Sequence, residues 1–196
     1  MKSLLIFTAT VAIVLIFIIL KLLLKIRELN KKIKYVDNAN MWYKLAVTDD
    51  LTGIYNRNAY NLQLGVKKKR MRDCSRGIIL FDVDNFKIIN DTKGHLEGDT
   101  VLKHVAKNLL EIFHDSRYKV FRIGGDEFSV LSEGVYEEEI VERLIALKKL
   151  FESEGDIRLS KGYSIFKDNS EEAFKCADEM LYADKLSKKM QNSSTI

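Results

Sequence analysis

The 196-residue sequence predicts an α/β sandwich around a central, mainly antiparallel sheet, preceded by one transmembrane helix and a helical linker. Three observations lead there. An uncharged apolar run opens the chain. From about Thr48 onward, segments with helical periodicity alternate with short, nearly continuous apolar runs. Two of those runs meet at Gly124 and Gly125, as the arms of a hairpin do.

Ser3 to Leu20 carries no charge, Lys21 interrupts, and Leu22 to Leu24 continue the run. About 20 helical residues span a hydrocarbon core of about 30 Å, and Lys21 can snorkel to the interface. A cleaved signal peptide is the competing reading, but its apolar region spans about 7–15 residues before a small-residue cleavage site. Here the run is longer and leads into Lys and Leu. Residues 1–24 are therefore expected to form the transmembrane helix, with residues 4–24 in the bilayer. Only Lys2 precedes the span, whereas "KLLLKIRELNKKIK" follows it. The positive-inside rule puts the remainder in the cytoplasm. The expectation is a single-pass protein of the cytoplasmic (inner) membrane with no extracellular sensor of its own.

Residues 25–47 read as a signalling helix. Leu22, Ile26, Leu29, Ile33, Val36, Asn40, Tyr43 and Val47 recur at spacings of four and three, the seam of a parallel coiled coil with Asn40 setting register. The competing reading is a single amphipathic helix lying on the domain surface or on lipid headgroups.

Residues 48–196 form the globular part, of about 150 residues. "LTGIYNRNAYNLQL" holds a Gly-bounded turn and a helix through Tyr60, Leu62 and Leu64. "RGIILFDV" is a strand buried on both faces. "GDTVLKHVAKNLLEIF" is amphipathic, with Val101, Leu102, Val105, Leu109 and Ile112 on one face. "KVFRI" and "EFSVLS" are the hairpin strands. "YEEEIVERLIALKKLFES" turns Ile140, Leu144, Leu147 and Phe151 inward. "IRLSKGYSIF" is a strand, and "SEEAFKCADEMLYADKLSKK" closes with a helix.

Composition narrows the function. With 46% hydrophobic and 31% charged residues the chain is not of the disordered class. A formal charge of +4 with interspersed signs shows no basic stripe for nucleic acid. The dense basic run Lys67–Arg70 reads as a solvated helix end or loop. The two cysteines, Cys74 and Cys176, imply neither a disulfide framework nor a metal spacing.

The chemistry concentrates in acids. Asp82 and Asp84 lie two apart at a strand end and share a face. Asp126 and Glu127 follow the hairpin tip. If those elements neighbour each other, carboxylates crowd at one sheet edge and their pKa values rise unless a cation joins them. Oxygen ligands of this kind suit Mg²⁺ with phosphate oxygens, and a metal pair serves phosphoryl transfer. Gly124 and Gly125 can take φ > 0 in a two-residue turn and leave space for a ligand; a bare hairpin turn is the bland alternative. Lys87 stands just past the acids and can meet phosphate charge. Asn90, His95 and Asp99 lie on a loop and at a helix start. An Asp that accepts from N1–H and the exocyclic amine, with an Asn at O6, reads guanine and leaves adenine unpaired. Asp99 as a helix N-terminal acid and His95 as a loop histidine remain equally open.

These residues resemble the GGDEF-domain family of diguanylate cyclases. "DDLTGIYNR", "FDVDNFKIINDTKGHLEGD", "RIGGDEF", "LSKGYS" and "ADEMLYADK" follow in the family's order across roughly Thr48 to Lys189. The resemblance implies a palm-like fold of the nucleotide-cyclase type and condensation of two GTP into cyclic di-GMP, with one GTP on each of two facing domains. It implies that Asp82, the Val83 carbonyl and Asp126, with Glu127 beside them, hold Mg²⁺, two ions per site, with Mn²⁺ as a substitute. Asp126 is then assigned to activating the ribose 3′-hydroxyl and Lys87 to stabilising the pentavalent phosphorus. Asn90, His95 and Asp99 bind substrate together with Gly124 and Gly125, and Lys185 and Lys189 reach phosphates. The expected partners are GTP, a second copy through the linker helix and facing domains, the membrane, and an unidentified sensor protein, with no nucleic acid.

The sequence departs from the family in two places. Ser187, Lys188 and Lys189 stand where a Gly-Arg-Asn run is usual, and Lys lacks the guanidinium fork. Asp115 and Tyr118 occupy the Arg-x-x-Asp product site, so no feedback inhibition through it is expected. The rival readings are a catalytically weak or silent GTP-binding membrane module, a coiled-coil scaffold, and a cyclase acting on adenine nucleotides. Retention of Asp82, Asp126 and Glu127 speaks against the first, and Asp99 against the last.

Overall fold

The structure is a computed structural model that describes the backbone of residues 2–65, 75–155 and 157–193, and the side chains of residues 15–38, 40–65, 75–155 and 157–191. The basic run Lys67–Arg70 and Cys74 lie outside the described residues; Cys176 is exposed and unpaired. The chain divides into two units, Met1–Leu45 and Ala46–Ile196.

The first unit is helical, within α1 (Lys2–Val47). Among the described residues no helix is long and apolar enough to cross a membrane. Within residues 15–38, Lys21, Lys25, Arg27, Lys31 and Lys32 interrupt the apolar sequence. The side chains of residues 1–14, most of the expected span, lie outside the described residues. The seam residues Leu22, Ile26, Leu29, Ile33 and Val36 are each about half exposed in the single chain. Val47, the last member of that seam, is instead buried at 6% exposure, and its carbonyl accepts from the Asn56 amide at 2.9 Å. The seam thus gives way before Val47.

The second unit contains α2 (Arg57–Gly65), β1 (Arg76–Val83), α3 (Phe86–Lys93), α4 (His95–Ile112), β2 (Tyr118–Arg122), β3 (Glu127–Glu133), α5 (Glu137–Glu154), β4 (Leu159–Phe166) and α6 (Ser170–Ser193). The four strands form one sheet in the order β2-β3-β1-β4, and every neighbouring pair is antiparallel. Alternation along β1 explains its unbroken apolar run. Ile79, Phe81 and Val83 face α4 and α5, with Val105, Leu109, Ile140 and Leu144. Ile78 and Leu80 face α2 and α6, with Tyr60, Ala177 and Leu181. A strand covered on both sides has no polar face to offer.

The inward stripe of α5 is as expected, with Ile140, Leu144, Leu147 and Phe151 all buried. Glu137, Glu138 and Glu139 open the helix, where negative charge complements the dipole, and Glu139 accepts from the Tyr136 amide at 3.1 Å. Gly162 lets α6 press onto β4: a Cβ there would collide with the backbone of Ala177 and Leu181.

Three local expectations differ. Leu62 is 62% exposed, because only Tyr60 of α2 is buried against the sheet. Residues 86–93 form a helix, α3, where a loop was expected. α4 begins at His95 rather than Gly98; Gly94, at φ +86°, breaks the path between the two helices and donates its amide to the Asn90 carbonyl at 2.9 Å.

Candidate active site

β1 and β3 run side by side with Asp82 opposite Glu127. The Val83 amide donates to the Asp126 carbonyl at 3.2 Å, which fastens the turn before β3 to the end of β1. Asp82, Val83, Asp84 and Asp126 thereby line one pocket of about 500 Å³, completed by Asn85, Phe86, Lys87, Arg158, Lys185, Lys188 and Lys189. The strand-end acids and the hairpin-tip acid, 44 positions apart by their numbers, meet there.

Asp82 is 8% exposed. Burial pushes its carboxyl above the usual range; Lys185 opposes the shift, and the charges of Asp126 and Asp84 add to it. Lys185 Nζ lies 2.7 Å from Asp82 Oδ2. Asp84 is held separately. Its Oδ1 accepts from Ser160 Oγ at 2.5 Å, its Oδ2 from Lys188 Nζ at 3.1 Å, and its amide donates to the Arg158 carbonyl at 2.9 Å. Lys188 also meets Asp184 at 2.9 Å and the Leu159 carbonyl at 2.6 Å. The sequence reading placed Lys185 and Lys189 on phosphates and gave Lys188 no role. Asp82, near the end of β1, and Asp84, just past it, meet Lys185 and Lys188 of α6.

The hairpin tip departs from the two-residue turn expected. Ile123 to Asp126 connect the strands, and neither Gly124 nor Gly125 takes a left-handed φ. A four-residue connection does not demand the mirror-image turn. A Cβ at Gly124 would meet the Glu127 carboxylate, the movable end of an exposed side chain. Arg122 Nη2 donates to the Gly125 carbonyl at 2.7 Å, and Arg122 Nη1 meets Asp49 Oδ1 at 3.0 Å. Arg57 donates to the Ile123 carbonyl, and Asp49 accepts from Thr52 Oγ1 at 2.6 Å. The "DDLTGIYNR" stretch is therefore the brace of the signature turn. Burial works against the Asp49 charge, but the bonds from Thr52 and Arg122 outweigh it and hold its carboxyl below the usual range.

A second set of residues gathers on α3 and α4. Asn90 packs on Gly98, where a Cβ would collide with Asn90 Oδ1, and the half-buried Asp99 is the next residue. His95 is exposed one turn before Asp99 on α4, so the two share a face. Lys87, on the first turn of α3, lines the acidic pocket, and Asn90 lies about 4.5 Å further along the axis. One short helix thus links the two sets of residues.

The donor chemistry fits a hard divalent cation of the Mg²⁺ type. Asp82 and Asp126 offer carboxylates and Val83 a carbonyl, and such ions take one or two carboxylates and leave positions for phosphate oxygens. Burial is the main cause that raises the Asp82 carboxyl, and the smaller push from Asp126 and Asp84 is one that a cation relieves. Glu127 is exposed, with its carboxylate against Gly124 and outside the pocket lining. Among the described residues no three His, Cys, Asp or Glu side chains stand close enough to share an ion. Asp82, Val83 and Asp126 are the oxygen-bearing residues of the expected set that border this pocket.

The profile described as "Diguanylate cyclase, GGDEF domain" matches residues 46–191. The chain is 38% identical over 156 residues to the probable diguanylate cyclase DgcI of Escherichia coli K12, covering 77% of this chain and 34% of that protein. It is 37% identical over 132 residues to diguanylate cyclase DgcN of the same organism, covering 62% of this chain and 32% of that protein. The chain thus spans about a third of the length of these relatives. Among solved structures, the coiled coil and GGDEF domain of DgcB from Caulobacter crescentus in complex with c-di-GMP matches with a TM-score of 0.75 at 22% identity, over 83% of this chain and 93% of that one. That likeness is one of fold.

Proposed function

The chain belongs to the GGDEF-domain family of diguanylate cyclases, and from that premise we propose that it condenses two GTP into cyclic di-GMP and two pyrophosphates. The observation that carries this reading is the meeting of Asp82 and Asp126 in one pocket with Lys87, Lys185 and Lys189. Acids to organise a cation and cations to receive phosphates are what a nucleotidyl transfer needs at one place.

Each 3′-hydroxyl attacks the α-phosphorus of the other GTP. A new P–O bond forms, the bond to pyrophosphate breaks, and the hydroxyl proton passes to Asp126. Asp82, the Val83 carbonyl and Asp126 would hold Mg²⁺, or Mn²⁺ in its place, which when bound neutralises charge on the triphosphate. Lys87 stabilises the crowded phosphorus. Lys185 and Lys189 hold the outer phosphates. Asn90 and Asp99 read guanine, with His95 beside them on the same helix as Asp99. Gly124 and Gly125 keep the turn low enough for the nucleotide to pass.

Two loaded domains must face each other. The exposed seam from Leu22 to Val36 supports pairing of two copies through α1, which raises the effective concentration of one domain for the other. The uncharged run from Ser3 to Leu20 supports an anchor in the cytoplasmic membrane, with the enzyme on the cytoplasmic side and its input arriving through the membrane or a sensor partner.

The test is to incubate the purified full chain with Mg²⁺ and either GTP or ATP and identify the products by mass. Cyclic di-GMP from GTP alone is expected, with none from Asp126→Ala. No turnover by the intact chain under forced dimerisation rejects the enzyme reading in favour of a silent module.

A further inference from the structure

Five cations line the acidic pocket: Lys87, Arg158, Lys185, Lys188 and Lys189. They are not equivalent. Lys185 pairs with Asp82 at 2.7 Å and reaches phosphate only when a cation takes that carboxylate. Lys188 is committed to Asp84, Asp184, the Leu159 carbonyl and Ser160 Oγ, which exhausts an ammonium with three protons. Lys189 has an interaction of its own. Among the described residues, only Lys87 and Arg158 of the five carry no side-chain hydrogen bond or ion pair.

Arg158 is placed for more than solvation. Its carbonyl accepts from the Asp84 amide at 2.9 Å, so its backbone is fastened to the end of β1, two residues from Asp82. It stands immediately before β4, whose Ser160 pairs in register with Asp82. Arg158 is an exposed residue, and it borders the pocket that Lys87 borders from α3. A planar fork of donors suits two oxygens of one phosphate, which no lysine ammonium can match. All the other cations of the pocket are lysines.

We propose that Arg158 is a substrate-binding residue that grips the terminal phosphates of the nucleoside triphosphate, and the pyrophosphate leaving group, in a bidentate manner. The proposal rests on the cyclase reading for the identity of that ligand as GTP. It needs only the pocket for the polyphosphate itself. Pyrophosphate carries its charge away from the α-phosphorus, and a guanidinium at that end favours its departure.

The experiment measures equilibrium binding of inorganic tripolyphosphate, and separately of GMP, to the full chain with Mg²⁺. The variants are Arg158→Ala and Arg158→Lys. Arg158→Ala is expected to weaken tripolyphosphate roughly ten-fold and leave GMP unchanged, and Arg158→Lys to recover only part of the loss. Arg158 is exposed, so neither variant threatens the fold. Unaltered tripolyphosphate affinity in Arg158→Ala, or an equal loss for GMP, overturns the proposal. Full recovery by lysine overturns the bidentate grip. A chain that makes no cyclic di-GMP yet loses tripolyphosphate affinity on Arg158→Ala upholds this inference while rejecting the cyclase reading.

Discussion

Arg122 and Asp49 form a half-buried ion pair, 3.0 Å from Nη1 to Oδ1, across 73 positions of sequence. The same guanidinium holds the Gly125 carbonyl at 2.7 Å. One side chain therefore ties the segment that opens the globular unit to the turn that carries Asp126. Arg122→Ala should cost about 1.5–3 kcal/mol in denaturant unfolding, because it strands a partly buried carboxylate and a carbonyl. Turnover should fall more than GTP affinity, since the turn that aims Asp126 loosens. Equal stability in the variant would dismiss the brace.

The Asp49 carboxyl is held below its ordinary value of 3.8. A depressed folded-state value contributes stability above the unfolded value and loses it as pH falls through the folded one. The native chain should therefore lose stability below about pH 4, and Asp49→Asn should show a shallower acid limb. Unfolding midpoints across that range decide it.

Asp82 has the opposite sign. Burial raises its carboxyl, so its charged form costs stability at neutral pH, and the cost recedes as pH falls. Asp82→Asn should abolish product formation, by roughly 10³-fold or more, without lowering the melting temperature. Lys185, about a third exposed, regains water when its partner is removed. A variant that melts early would assign Asp82 to the fold instead of to catalysis.

Gly162→Ala drives a methyl group into the α6 backbone at Ala177 and Leu181. Backbone cannot rotate aside, so the helix must shift, at about 1–3 kcal/mol. Lys185 and Lys188 ride on that helix. A lowered denaturant midpoint with a raised GTP KM is expected, and a silent substitution would contradict the close packing.

Polar replacement of Ile26, Leu29, Ile33 and Val36 together should reduce specific activity by at least about ten-fold at dilute enzyme, and added protein should partly restore it. Sedimentation reads the loss of pairing directly. Turnover that stays first order in enzyme and unchanged would reject α1 as the pairing element.

The sequence alone determined what is local or periodic. The inward stripe of α5 and the doubly covered β1 were legible because burial leaves a period in the residues themselves. The acids at Asp82, Asp84 and Asp126 were legible because carboxylates at strand ends and turns have little other reason to cluster. Tertiary structure decided the partners. That Lys188 serves Asp84, that Arg122 spans from Asp49 to Gly125, and that Arg158 borders the pocket with no side-chain partner among the described residues depend on which side chains packing brings within about 3 Å. Such distances are set by how α6 seats on Gly162 and how β4 lies against β1, and no spacing along the chain encodes them. The same holds for Gly124, which meets its neighbour's carboxylate instead of a left-handed turn, because the geometry of a loop is chosen by the strands it must join.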